Sequence, residues 1–113
     1  MSDERPPNAP QTPTDPAVYL AHVDTAFSID ASPAPVVLTL ARVDDAGVRG
    51  GSRQFSLFFH GSPDRVVPPG SYVLQHAVLG PLLLFITPVV GSTRERILYE
   101  ACFNLRVDPG TPR

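Results

Sequence analysis

The sequence predicts a small all-β domain, an antiparallel meander of about six strands curling into a barrel or half-barrel, with one short N-terminal helix. Three observations carry this. From Thr25 the apolar residues recur with period two rather than 3.6. Each such run is bounded by glycine, proline or aspartate. Mostly short links join the runs, which forces antiparallel neighbours. A flat sandwich is the competing architecture.

The elements follow in order. Residues 1–16 hold five prolines and no large apolar side chain after Met1, so this stretch is expected to be a disordered tail. Asp15 before Pro16 is a helix start signal, because the carboxylate accepts from orphan amides and proline fits the first helical turn. A helix over Pro16 to His22 is expected, with Val18, Tyr19 and Leu20 as its apolar side, plugging the domain. Phe27 and Ile29 alternate with Ser28 and Asp30 in the first strand, and Val36, Leu38 and Leu40 share one face of the second. Asp44 to Gly51 reads as a flexible loop that reverses the chain, and its glycines, lying between two strands, are expected as hairpin residues rather than a phosphate-binding loop. The third strand, Gln54 to His60, places Phe55, Leu57 and Phe59 inward and Phe58 outward. Tyr72, Leu74 and His76 share a face of the fourth, and Gly80-Pro81 turns into the fifth, Leu82 to Thr87, which is apolar at nearly every position, as a strand covered on both faces would be. The sixth runs from about Arg96 to Arg106, with Ile97, Tyr99, Ala101 and Phe103 on one side. Residues 17–106 thus form the single domain, and 107–113 a frayed end.

Charge narrows the function classes. The net charge of −2 comes from the tail, and from Ala17 onward arginines and carboxylates balance, so nucleic acid and anionic membrane are not expected partners. No apolar run suits a secretory signal or a bilayer span, which points to the cytoplasm. The lone Cys102 excludes an intramolecular disulfide and multi-thiolate zinc, and reads as a small buried hydrophobe. His22, His60 and His76 lack the spacing of a metal site, and no nucleophile elbow or triad pattern is present. No catalytic residue, metal or cofactor is therefore expected.

Period two leaves Phe58, Leu83, Phe85 and Leu98 pointing outward on neighbouring strands, an apolar patch of the kind that marks a partner surface, unless the short helix or a loop covers it. The first hypothesis is a non-catalytic structural or interaction module that meets a protein partner or a second copy there. The second is a small-molecule-binding barrel whose mouth is lined by Tyr72, His76 and Tyr99.

The segments Phe55-Ser56-Leu57-Phe58-Phe59, Pro69-Gly70-Ser71-Tyr72, Leu84-Phe85-Ile86-Thr87-Pro88-Val89 and, most specifically, Tyr99-Glu100-Ala101-Cys102-Phe103-Asn104 resemble an uncharacterised bacterial family known only as a domain of unknown function. The resemblance covers about residues 25–104, and Asp24 and Cys102 stand where that family has a frequent glycine and a usual valine. It implies an accessory or adaptor role near phage-tail-collar or microcystin-dependent-type proteins, by association rather than mechanism.

Overall fold

The computed structural model describes residues 12–89 and 93–106; the first eleven residues of the expected tail, the Gly91-Ser92 loop start and the frayed end lie outside them. One short helix, α1 (Pro16–Leu20), precedes six strands: β1 (Ala26–Ile29), β2 (Val36–Arg49), β3 (Ser52–Gly61), β4 (Gly70–His76), β5 (Gly80–Pro88) and β6 (Ile97–Arg106). They close into an antiparallel barrel in the order β1-β2-β3-β6-β5-β4. The architecture is therefore a barrel, but its strand order is not a meander. The link from Ser62 to Pro69 carries the chain away from β3, so that β6 pairs with β3 while β4 pairs with β1 through Leu74 and Gln75. That link is long enough to cross a barrel end, which a tight hairpin turn is not.

Alternation fills the interior as expected. Phe27, Leu38, Leu40, Leu57, Phe59, Leu74, Leu82, Ile86 and Tyr99 are fully buried, with Phe55, Leu84 and Ala101 nearly so. Phe27 meets Phe59 edge to face at 5.3 Å between centroids. The helix is shorter than expected: it ends at Leu20, and the side chains it buries are Pro16 and Tyr19, whereas Leu20 faces solvent. Asp15 does cap it, its side chain accepting from the Ala17 amide at 3.0 Å. The Tyr19 ring enters the core beside Phe55 and Phe103 and closes one end of the barrel.

Asp44 to Gly51 is not the expected loop. β2 continues to Arg49 through two register shifts, Leu40/Arg42 and Asp45/Gly47, and a glycine pair then makes the hairpin turn. Gly50 and Gly51 both have positive φ, 57° and 81°, the backbone that a two-residue turn matching the strand twist demands. Gly47, Gly50 and Gly51 are hairpin residues, as expected, at bulge and turn positions.

Candidate functional site

Three places combine exposure or polarity with unusual geometry. The first is the outer face of β4 and β5. Leu82, Leu84 and Ile86 fill the interior, which turns Leu83 and Phe85 outward, 51% and 59% exposed. Val73 on β4 lies opposite Leu83 and is 38% exposed. The expectation that the fifth strand is covered on both faces thus fails: one face packs the core, and the other is bare among the described residues.

Phe58 and Leu98 also point outward but are half-buried, and they stand apart from that face. The Arg42 guanidinium lies 4.0 Å above the Phe58 ring, shielding it. Phe58 faces Glu100 across the β3–β6 ladder, and Glu100 faces Thr87 across to β5, so the width of β6 separates Phe58 from Phe85. The structure brings Leu83 and Phe85 together and adds Val73, which period two on β4 alone did not single out. The register joining Val73 to Leu83 is a tertiary fact.

The wall between β5 and β6 is the second feature. Its ladder consists of Thr87 opposite Glu100 and Pro88 opposite Tyr99, continued by the Val89 amide donating to the Leu98 carbonyl. Toward Leu82 on one strand and Leu105 on the other the pairing stops, leaving a seam. Thr12 lies against it: its hydroxyl donates to the Leu83 carbonyl and accepts from the Leu83 amide, both at 2.9 Å. The Tyr19 hydroxyl donates to the Pro13 carbonyl at 2.7 Å. Residues 12–15, which composition places in the tail, are therefore bonded to the domain.

The third is a polar node beside the helix. His22 and His76 stand edge to face, 4.7 Å apart, although 54 residues separate them in the chain (76 − 22). The His76 Nδ1 accepts from the Val78 and Leu79 amides at 3.0 and 3.1 Å, which leaves the proton on Nε2. Nε2 donates to the Thr25 hydroxyl at 2.9 Å, and that hydroxyl donates to the His22 carbonyl at 2.6 Å. Both ring nitrogens are committed to neutral-state bonds. Burial, and then the neighbouring His22, hold the His76 pKa below the ordinary histidine value.

The three residues expected at a ligand mouth do not converge. Tyr99 is buried and its hydroxyl accepts from the Val67 amide at 2.8 Å. Tyr72 donates to the Pro68 carbonyl at 2.7 Å, beside an open cavity of about 260 Å³ that also touches Ile29, Val36 and Arg65. His76 is at the other end of β4, against Phe27 and His22. Cys102 is exposed rather than buried, because its neighbours Ala101 and Phe103 take the inward positions. Its thiol donates to Glu100 at 3.1 Å, and partial desolvation and Glu100 raise its pKa against a lowering by the Ser56 hydroxyl, so that on balance the thiolate is disfavoured. Among the described residues no three histidine, cysteine or acidic side chains are placed to hold a metal ion. No helix is long and apolar enough to cross a membrane.

Compared with known proteins, residues 16–103 match the model of a family described as Domain of unknown function (DUF6916). No curated protein and no solved structure matches.

Proposed function

We infer that this chain, which belongs to the DUF6916 family of domains of unknown function, is a non-catalytic interaction module that meets a protein partner, or a second copy, through the outer face of β4 and β5. The carrying observation is that Leu83 and Phe85 stand exposed on a strand whose alternate residues are fully used by the core. Large apolar side chains concentrated on one face lose their contact with water when a partner covers them. The filled interior supports this reading over a ligand-binding barrel, since Tyr19, Phe27, Phe55 and Phe59 occupy the space a ligand would need. An adaptor placed beside phage-tail-like proteins is the finer form of the same proposal, and it rests on the family resemblance alone.

The test replaces Leu83 and Phe85 together with serine. Exposed positions carry little fold stability, about 0.5 kcal/mol or less each, so the circular dichroism spectrum should persist. The mass measured by light scattering at high concentration should fall toward monomer. A wild type already monomeric, together with a double variant that unfolds, would place these side chains inside the domain and overturn the reading.

A further inference from the structure

The seam between β5 and β6 has two lips. The Leu83 amide and carbonyl point into it, where Thr12 meets them. Strand alternation turns those of Phe85 the same way. On the facing strand Glu100 pairs with Thr87, so the backbone groups of Cys102 and Asn104 point toward β5. Beyond Thr87 these lips are not joined to each other. The group at Leu83 is a side-chain hydroxyl, which donates and accepts as a strand residue would but supplies no continuing ladder. Behind it, Pro13 is tethered by the Tyr19 hydroxyl, whose ring is fixed in the core.

We propose that the seam is a strand-accepting slot closed by the Thr12–Asp15 strap, and that its occupant is an extended segment of a protein partner with apolar side chains at alternate positions. The inference rests on the interaction-module reading and deepens it by naming what the partner offers. A strand entering here would bond to Leu83 and Phe85 on one side and to Cys102 and Asn104 on the other. Its inward side chains would meet Leu84, Ile86 and Ala101, and its outward ones the exposed Leu83 and Phe85. The residues preceding Thr12 are poorly suited to the slot, because Pro6, Pro7 and Pro10 have no amide hydrogen to give a ladder.

The experiment uses the full chain, as wild type, Thr12→Val and Thr12→Ser, and reads single-amide hydrogen exchange by NMR. The probe is a capped octapeptide of alternating valine and threonine. Thr12→Val should speed exchange at Leu83 about ten-fold, the scale of one lost hydrogen bond, without changing Leu82 or Leu84. Thr12→Ser, which keeps the hydroxyl, should match wild type. The probe should bind Thr12→Val about ten-fold more tightly than wild type and slow exchange at Leu83, Phe85, Cys102 and Asn104. Unchanged exchange at Leu83 overturns the strap. Faster exchange with equal probe binding to both proteins, or with none of those four amides protected, overturns the slot. The Leu83/Phe85 double serine variant separates this from the broader reading: a backbone-held probe should bind it within a few-fold of wild type, whereas a partner held by the outer side chains should be lost.

Discussion

Phe55 and Phe103 face each other across the β3–β6 ladder with ring centroids 4.4 Å apart and planes 8° from parallel. Tyr19 tilts against both, at 6.1 and 5.8 Å, so three rings from three elements seal one end of the barrel. Truncating Phe103 removes one of the three rings and its contacts with both others. Because Phe103 is only half-buried, Phe103→Ala should cost about 2 to 4 kcal/mol, and the nearly buried Phe55→Ala about 3 to 5 kcal/mol. Urea unfolding measures both; a cost below about 1 kcal/mol at Phe103 would mean that Tyr19 does not depend on it.

Shortening the N-terminus should reveal where the domain begins. A chain starting at Gln11 should melt with the full-length protein. One starting at Pro16 loses the Asp15 cap, the Thr12 bonds to Leu83 and the Pro13 acceptor of Tyr19. At about 1 kcal/mol for the cap and about 1 kcal/mol per hydrogen bond, it should melt roughly 10 °C or more lower. Equal melting of the two would show that residues 12–15 contribute nothing to folding.

Acid should weaken the fold through His76. Its folded-state pKa is lowered, so the unfolded chain takes up the proton first, and the stability contributed by the neutral ring is present above about pH 6.5 and lost as pH falls through the folded value. Protonation adds a hydrogen at Nδ1, where the Val78 and Leu79 amides already donate. His60, lowered by burial and by Arg96 and Arg42, acts in the same direction. Thermal melting between pH 7 and pH 5 should therefore show a falling midpoint, and His76→Gln should flatten the dependence while lowering stability throughout. A midpoint that rises on acidification would contradict the bonding of His76.

Two backbone positions should respond in opposite directions, one to gaining a side chain and one to losing it. At Gly61 an added Cβ would stand 2.7 Å from Leu38 Cδ2 and 3.0 Å from Tyr99 Cε2, both fully buried, so Gly61→Ala should cost about 1 to 3 kcal/mol by overpacking. Asp24 holds φ at +71°, the left-handed region that favours glycine. Asp24→Gly should be neutral or stabilise by up to about 1 kcal/mol. Denaturant midpoints of the two variants on either side of wild type are the expected result.

The strands and their inward faces were legible because each strand has one buried side, and a one-residue slip would have exposed it. Phe55, Leu57 and Phe59 against Phe58 show this directly. What escaped the sequence depends on pairing between distant segments. The outward residues could be identified singly, but whether Phe58 joins Phe85 is decided by β6 lying between them. His22 and His76, Val73 and Leu83, and Thr12 and Leu83 are likewise neighbours only because the barrel closes. Gly47, Gly50 and Gly51 are legible as hairpin residues, but the extension of β2 to Arg49 is not, because positive φ inside a bulged hairpin and freedom in a loop use the same residue.

The chain enters the described domain at Thr12, against Leu83, and leaves it at Arg106, opposite Ser52. Tyr19 and Phe103 touch between these points, so entry and exit share one pole of the barrel. The Ser62–Pro69 crossing, whose Pro68 carbonyl accepts from the Tyr72 hydroxyl, lies at the far pole. A label, bead or fused protein attached at either end of this domain is consequently held on one side, and whatever surface such a tether is fixed to, the crossing loop is the part turned away from it.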